Sequence, residues 1–225
     1  MRGADVYPVL RSKGISRLYH ANSVVTSNSL LQLSGLASRG CVERHGMSQT
    51  EQYTDAGDRH FGVWNDVFTD SVDIHARRSD RNQYGPVLFV LDARLLLELP
   101  DGVEILVTRR NPTKWVDGQS NQDRYFLTAA ELSKGLIYGE FDQMITFRTT
   151  DGILPFGGRL AQIILDDPQV RRADGSDVFT SGQEAIQAMA AARGIVAPVV
   201  KRTCNVGCRC VRTYASNGAL IRIYF

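Results

Sequence analysis

The sequence feature that most constrains the fold is an uninterrupted apolar segment near the middle of the chain. Residues 87–91 read VLFVL and stand between Pro86 and Asp92. A short run of this kind, without alternating polar residues, is typical of a strand that is buried on both faces. The sequence therefore predicts a central strand here, covered on both sides by other elements.

Shorter patterns predict the elements before and after this strand. Residues 17–20 and 104–108 each predict a short strand. A helix is expected after the first of these, with Ser27 or Asn28 as its N-cap residue and leucines along one face. Residues 41–60 are polar and show little periodicity, so they predict a long loop.

The second half of the chain contains two capping-box patterns. Thr128 with Glu131 predicts a short helix, which is followed by alternating residues at 136–147. This alternation predicts a half-buried strand that carries Glu140 on its polar face.

Ser181 with Glu184 predicts the start of an alanine-rich helix, and residues 219–225 predict a last strand. Helices and strands do not alternate regularly, which favours an α+β fold. Because the sequence contains no internal repeat and no linker, a single domain over residues 1–225 is expected.

Charge is distributed unevenly along the chain. Lys and Arg total 26 against 24 Asp and Glu, and the net charge of +2 argues against a protein that coats nucleic acid by charge alone. Residues 185–225, however, contain six basic residues and no acidic one, so this basic C-terminal extension fits contact with an acidic partner. No segment is apolar enough to predict a membrane span or a signal peptide, and a cytoplasmic location is expected.

The cysteines do not match a familiar framework. Four cysteines in 225 residues are too few for a disulfide scaffold. Cys204, Cys208 and Cys210 cluster, but their spacing lacks paired knuckles and no histidine follows Cys204. We therefore expect ordinary thiols in a strand-rich tail and no metal.

Common nucleotide and hydrolase motifs are absent from the sequence. It has no Walker loop, no G-x-G-x-x-G, no H-E-x-x-H and no G-x-S-x-G. Polar residues nevertheless stand at unusual places: His20 at a strand end, Glu140 between Gly139 and Phe141, and a crowded segment that contains Asp73, His75, Arg77 and Arg78. Each also has an ordinary interpretation as a surface or capping residue, so these residues alone leave an enzyme and a binding protein equally open.

Three blocks of the sequence resemble the DarT-type ADP-ribosyltransferases. RLYHANSVVTSNSLLQLSGLASRG is similar to the strand, histidine and helix that begin that family. DVFTDSVDIHARRSDRNQYGPVLFVLD resembles its middle strand, arginine-bearing loop and central strand, and RYFLTAAELSKGLIYGEFDQMITF resembles the helix and strand that present its catalytic glutamate. The resemblance covers roughly residues 15–156. It implies two antiparallel sheets that form an NAD cleft, with flanking helices, and no metal.

The resemblance also implies roles for individual residues. Glu140 corresponds to the catalytic glutamate, and His20 with Asn22 corresponds to residues that hold the ribose and amide groups of NAD. Asp73, His75 and Arg77 fall in the NAD-contacting arginine loop, although this sequence lacks the aromatic and proline residues common there.

These roles are chemically reasonable. Loss of nicotinamide passes through an oxocarbenium-like state that a carboxylate such as Glu140 stabilises. A guanidinium such as that of Arg77 or Arg78 matches the geometry of a phosphate. Tyr84 or Tyr19 is a candidate to stack on nicotinamide, and each is equally compatible with the core.

A base that accepts ADP-ribose must be single-stranded or unstacked to reach such a cleft. Basic and aromatic residues suited to recognise it are Arg124, Tyr125 and Trp115, together with the basic extension. Trp115 is also a natural core residue, and its sequence context favours packing over exposure.

The sequence thus predicts an NAD-dependent ADP-ribosyltransferase that modifies a base in DNA or RNA. Such an enzyme resembles the toxins of toxin–antitoxin and phage-defence systems, which implies a cognate antitoxin as partner. Three alternatives stay open: a transferase on the same fold that modifies protein, an RNA phosphotransferase-like enzyme that uses NAD to remove a phosphate, and a nucleic-acid-binding or partner-binding protein without catalysis. The last of these predicts salt-sensitive binding and no NAD turnover.

Overall fold

Helices and strands are mixed along the chain, and the predicted α+β class is confirmed. The computed structural model describes residues 1–204 and 207–225. Within these residues the strands form two four-stranded sheets and one two-stranded sheet. The strands are β1 Arg17–Asn22, β2 Gly35–Ala37, β3 Asp66–Thr69, β4 Val87–Asp92, β5 Glu104–Thr108, β6 Tyr125–Phe126, β7 Ile145–Arg148, β8 Ile153–Pro155, β9 Leu160–Asp166 and β10 Val199–Arg202.

Helices cover the sheets and connect the strands. The α-helices are α1 Gly3–Ser12, α2 Val24–Gln32, α3 Arg39–Arg44, α4 Asp55–His60, α5 Ile74–Arg78, α6 Asn121–Arg124, α7 Ala129–Gly135, α8 Val178–Ala192, α9 Cys210–Ser216 and α10 Gly218–Tyr224. Two short 3₁₀ helices lie at Ala93–Leu97 and Pro112–Lys114. None of the helices in the described ranges has the length and apolar character to cross a membrane.

The first large sheet has the strand order β1-β4-β9-β10. β4 lies between β1 and β9 and is antiparallel to both. The predicted central strand is therefore confirmed. β10 pairs with β9 in parallel, so this sheet is mixed, whereas two purely antiparallel sheets were expected. The parallel pair arises because α8 carries the chain back across the sheet before β10 begins.

The second large sheet has the order β3-β7-β5-β6 and is antiparallel throughout. Its link to the first sheet is a bridge between Tyr19 of β1 and Asp70, the residue after β3. The Tyr19 amide donates to the Asp70 carbonyl at 3.0 Å, and the Asp70 amide donates to the Tyr19 carbonyl at 2.8 Å. These two hydrogen bonds connect the first sheet to the second at the residue that follows β3.

The main core surrounds β4. Phe89 is fully buried and its ring stacks on that of Phe156, with ring centroids 5.7 Å apart. The same core includes residues from α1 to α8, such as Leu10 and Ile186. β4 therefore lies at the centre of the main hydrophobic core, as the apolar run at 87–91 predicts.

Several boundaries differ from the sequence predictions. α2 begins earlier than expected, because the Ser23 hydroxyl, rather than Ser27 or Asn28, accepts a hydrogen bond from the Thr26 amide. The region predicted as a loop at 41–60 contains most of α3 and all of α4, which are helices of only six residues each. Helices this short bury too few side chains to show the helical periodicity of apolar residues in the sequence.

The predicted strand at 136–147 is wrong in its first half. α7 begins after Thr128, as expected, but regular pairing begins only at Ile145. Glu140 therefore lies in a turn and not on the polar face of a strand. Gly139 in that turn has a positive φ of 79°, a conformation that interrupts an extended strand.

Two C-terminal predictions are also wrong. α8 is capped by Asp177, whose carboxylate accepts from the Thr180 amide, so the helix starts before the Ser181 pattern. Residues 219–225, predicted as a strand, lie mostly in α10, whose Ile221 packs with Tyr214 of α9. Tertiary packing has overridden the β-branched composition of this short segment.

The basic extension at 185–225 is partly neutralised within the fold; its residues 205–206 lie outside the described residues. Arg202 pairs with Asp73 at 2.9 Å and with Asp166 at 2.8 Å. Lys201 pairs with Asp167, and Arg209 contacts Asp80 at 3.1 Å. Much of the positive charge that the sequence offers to a partner is therefore used to attach the extension to the body.

We expect Phe89→Ala to lower the free energy of unfolding by about 3–5 kcal/mol, because it removes a fully buried ring from the core around β4. Urea unfolding followed by circular dichroism measures this loss. Val200→Ala on β10, where the side chain is 39% exposed, is the control and should change stability by less than about 0.5 kcal/mol. A loss below about 1 kcal/mol for Phe89→Ala would contradict the central position of this strand.

Candidate functional site

A cavity lies where the two large sheets meet. Its volume is about 800 Å³, including space open to solvent. Polar side chains from both sheets and from α3 and α4 line it. They include His20, Asn22, Arg39, Gln49, Gln52, Asp58, Asp70, Tyr84 and Asn111.

His20 and Asn22 enter this cavity from the end of β1. They are two residues apart on a strand, so their side chains lie on the same face. His20 Nδ1 donates to the Phe68 carbonyl at 2.8 Å, and this bond leaves Nε2 to accept from Asn22 Nδ2 at 3.0 Å. Burial lowers the pKa of His20, so the imidazole is neutral at pH 7. The pair is a fixed, uncharged polar unit.

Arg39 brings a positive charge into the cavity at the first turn of α3. Ser38 caps this helix by accepting from the Cys41 amide at 3.1 Å. The guanidinium donates to the Thr50 carbonyl at 2.8 Å and to the Asp55 carboxylate at 2.6 Å. Its Nε is buried and has no hydrogen-bond partner in the described part of the chain. Two of the five N–H donors of this guanidinium are thus engaged, and they hold Arg39 in place.

Arg39 is a site residue that the sequence argument missed. It lies in the same block as His20, shortly after Gly35-Leu36. Its position within this block is the sequence signal that could have identified Arg39 as a site residue. Only the fold reveals that the short helix α3 turns this arginine toward β1, because no periodic pattern marks α3 in the sequence.

Three carboxylates that line the cavity have raised pKa values. Burial raises the pKa of Asp70 to about 7 and that of Asp58 to about 6. Among the described residues, Asp70 has no side-chain hydrogen bond or ion pair to offset this cost. Burial also raises the pKa of Asp66, although this carboxylate forms an ion pair with Arg148 at 2.8 Å. Perturbed carboxylates in a cleft are typical of functional sites.

Tyr84 reaches the cavity because the chain passes unusually close to β1 at the next residue. Gly85 has a φ of 143°, and a Cβ there would lie 2.3 Å from the Asn22 carbonyl carbon and oxygen. Only glycine fits at this contact. The Tyr84 ring stacks on Tyr53 with ring centroids 5.9 Å apart, and the two hydroxyls are 3.3 Å apart.

The structure brings three of the predicted cofactor-binding residues together and separates the other two from them. His20, Asn22 and Tyr84 line the cavity. Asp73 and His75 line a different hollow beside Cys204 and Cys208. Asp73 caps α5 and pairs with Arg202, so its carboxylate is already engaged.

The two predicted catalytic residues are both exposed and do not line the cavity. Arg77 donates to the Gly139 carbonyl at 3.3 Å, which connects α5 to the turn that holds Glu140. Glu140 Oε1 accepts from the Asp142 amide at 3.3 Å. This turn leads to Met144, which does line the cavity. Glu140 therefore lies in a turn next to the cavity, and Arg77 of α5 contacts this turn. Neither side chain lines the cavity.

The predicted acceptor-binding aromatics are mostly buried. Trp115 is 5% exposed and Tyr125 is 4% exposed, and their rings meet edge to face at 5.3 Å. The packed interpretation of Trp115 is confirmed. Arg124 is half-buried, with its guanidinium 4.9 Å from the Trp115 ring and 5.1 Å from the Phe61 ring. Of the three residues, Arg124 has the most exposed position.

Comparison with known proteins identifies a structural neighbour. A solved structure described as Thermus sp. 2.9 DarT in complex with ADP-ribosylated ssDNA aligns with a TM-score of 0.52. The folds are similar. Sequence identity is 10%, and the alignment covers 84% of this chain and 95% of that chain. No protein-family model and no curated protein matches the sequence.

The similarity extends over a larger share of the chain than residues 15–156, which carry the sequence resemblance. It supports the α+β architecture with several sheets and flanking helices. At 10% identity it establishes the fold alone, so the activity is argued below from the side chains of the cavity.

We expect Asp70→Asn to change the pH dependence of stability. The unfolded chain releases the Asp70 proton near pH 3.8 and the folded chain near pH 7. The free energy of unfolding of the wild type therefore falls as pH rises from about 4 to 7. The asparagine variant has no ionisable group at this position and lacks this decrease. The stability of Asp70→Asn relative to wild type should rise across this window and be constant above it, as urea unfolding at several pH values would measure.

Asp174→Asn is the control for this experiment. Hydrogen bonds from Ser176 lower the pKa of Asp174, so its titration lies below the same window. Its stability relative to wild type should be constant from pH 4 to 7. A flat profile for Asp70→Asn as well would contradict a protonated Asp70 in the folded protein.

Proposed function

We propose that this protein transfers ADP-ribose from NAD to a base in single-stranded or unstacked nucleic acid and releases nicotinamide. The observation that supports this most directly is the cavity of a DarT-like fold, which combines a neutral His20–Asn22 pair with the guanidinium of Arg39. We further propose that the protein is a toxin, which implies a cognate antitoxin.

The donor set of the cavity fits NAD. A guanidinium carries five N–H donors, and Arg39 uses two of them on Thr50 and Asp55, so others are available to an oxygen of the ligand. Arginine suits the anionic pyrophosphate, and the amide of Asn22 suits ribose hydroxyls or the carboxamide. Tyr84, already stacked on Tyr53, offers an aromatic edge to the nicotinamide or adenine ring.

The chemical step requires a carboxylate against the developing oxocarbenium charge. The family resemblance assigns this role to Glu140, and we retain it as the first candidate. Asp70 is the second, because it lines the cavity and has an unpaired carboxylate in the described structure. If Asp70 acts, activity requires its ionised form and should rise with pH through about 7.

The proposed acceptor surface adjoins the turn of Glu140. Arg77 and Arg78 are exposed, and their guanidinium carbons lie 5.8 and 5.3 Å from the centre of the Phe141 ring. Arginine beside an aromatic ring is suited to single-stranded nucleic acid, whose bases stack and whose phosphates pair with cations. The structural neighbour was solved with ADP-ribosylated single-stranded DNA, which favours this class of acceptor. Arg124 is a further candidate contact.

One observation favours a second function, a nucleic-acid-binding protein without catalysis. Glu140 is exposed outside the cavity lining, and the carboxylates inside, Asp58 and Asp70, have raised pKa values. A protein of this kind would bind nucleic acid and leave NAD intact. The third possibility, transfer to a protein side chain, would consume NAD without modifying nucleic acid.

The decisive experiment incubates the protein with NAD and with separate pools of single-stranded DNA, RNA and protein, followed by mass spectrometry. We expect one ADP-ribose added in a nucleic-acid pool. Arg39→Ala should lower the rate, and loss of the catalytic carboxylate, by Glu140→Ala or Asp70→Asn, should lower it about 10²–10³-fold. Arg11→Ala and Glu184→Ala, at exposed positions distant in sequence from the cavity residues, are controls and should leave it unchanged.

The outcomes separate the candidate functions. Nicotinamide release with an adduct only on protein would replace the nucleic-acid acceptor. Retained nucleic-acid binding without nicotinamide release would support the non-catalytic protein. Near-normal transfer by both Glu140→Ala and Asp70→Asn would refute both carboxylate assignments.

A further inference from the structure

Four potential metal ligands converge outside the lining of the cavity between the sheets. They are His75 of α5 and three cysteines of the C-terminal segment, Cys204, Cys208 and Cys210. All their ligand atoms lie within 4.8 Å of one another. The histidine and Cys210 are buried and the other two cysteines are half-buried, so the group is largely shielded from water.

The distances fit a tetrahedral zinc site. Zinc lies about 2.3 Å from thiolate sulfur and about 2.0–2.1 Å from imidazole nitrogen, so ligands at tetrahedral angles are about 3.8 Å apart for two sulfurs and about 3.6 Å for sulfur and nitrogen. His75 Nε2 lies 3.4 Å from Cys208 Sγ and 3.7 Å from Cys204 Sγ. Cys204 Sγ and Cys210 Sγ are 3.0 Å apart, so one pair must separate slightly.

The surroundings of His75 provide an independent argument. Its Nδ1 is 2.6 Å from a carboxylate oxygen of Asp166, a residue only 2% exposed. A histidine that binds a metal through one nitrogen usually donates from the other to a carboxylate or carbonyl. Asp166 in turn pairs with Arg202, which fixes the carboxylate. The imidazole is therefore oriented with Nε2 directed at the sulfurs.

We propose that His75, Cys204, Cys208 and Cys210 bind one Zn²⁺ as a structural site. Four protein ligands close the coordination sphere, as in structural rather than catalytic zinc sites. On binding, the three thiols lose their protons to solvent and coordinate as thiolates. The sequence prediction of no metal relied in part on the absence of a histidine after Cys204. The histidine of this cluster, His75, instead precedes Cys204 by 129 residues.

The zinc would attach the C-terminal segment to the body of the protein. It joins α5, which carries the exposed Arg77 and Arg78, to the segment that runs from β10 into α9. The hollow that His75, Cys204 and Cys208 line shares no lining residue with the cavity between the sheets. Metal binding can therefore be tested without any measurement of transferase activity.

The competing arrangement of the same residues is a disulfide. The sulfurs of Cys204 and Cys210 are 3.0 Å apart, and oxidation of this pair would remove two of the four ligands. The remaining histidine and thiol would then be too few for a structural zinc site.

The test is the metal content of the full-length protein after dialysis against metal-free buffer. Inductively coupled plasma mass spectrometry should find one zinc ion per chain in wild type and less than about 0.2 zinc ions per chain in Cys208→Ala and His75→Ala. Cys41→Ala is the matched control, since Cys41 is a buried free thiol on α3, and it should retain one zinc. Wild type without zinc, or Cys208→Ala with a full equivalent, would overturn the proposal.

A measurement on wild type covers the case in which the variants do not fold. Cobalt exchanged into the protein should give the visible absorption of a tetrahedral thiolate complex, and a strong chelator should lower the unfolding midpoint by about 5 °C or more. A midpoint unaffected by chelator, together with two free thiols and a Cys204–Cys210 crosslink in mass spectrometry, would establish the disulfide instead.

Discussion

The architecture depends on the pairing of β1 with β4. All six residues of β1, Arg17–Asn22, are in register with the buried strand, so the depth of β4 in the core fixes the position of β1. The end of β1 carries His20 and Asn22, and Tyr19 makes the bridge to the second sheet. One antiparallel register therefore sets the wall of the cavity and also positions the two sheets against each other.

Much of this framework is predictable from the sequence because it depends on local patterns. The apolar run at 87–91 identifies the central strand, residues 104–108 identify β5, and Thr128 marks the start of α7. These signals are strong because burial on two faces and side-chain capping restrict residue types directly. Short helices such as α3 escape detection, since one or two turns cannot produce a distinct period.

The candidate site is predicted less completely, for reasons of geometry. His20 and Asn22 are two residues apart on a strand, and Gly85 brings Tyr84 to the same place. Arg39 and Asp70 come from separate segments whose approach only the folded chain establishes. The same reasoning explains His75: it looked like part of an arginine loop, whereas long-range packing assigns it to Asp166 and the cysteines.

The bridge between Tyr19 and Asp70 has a mechanical consequence. It is the only strand-type pairing between the two large sheets among the described residues, and it consists of two hydrogen bonds. Elsewhere the two sheets share one core, which contains Phe89 of β4 together with Phe147 of β7. The bridge includes Asp70 and adjoins His20, so backbone hydrogen bonds fix the spacing of two groups that line the cavity. A ligand that contacts both must therefore match a distance that the folded backbone sets before binding.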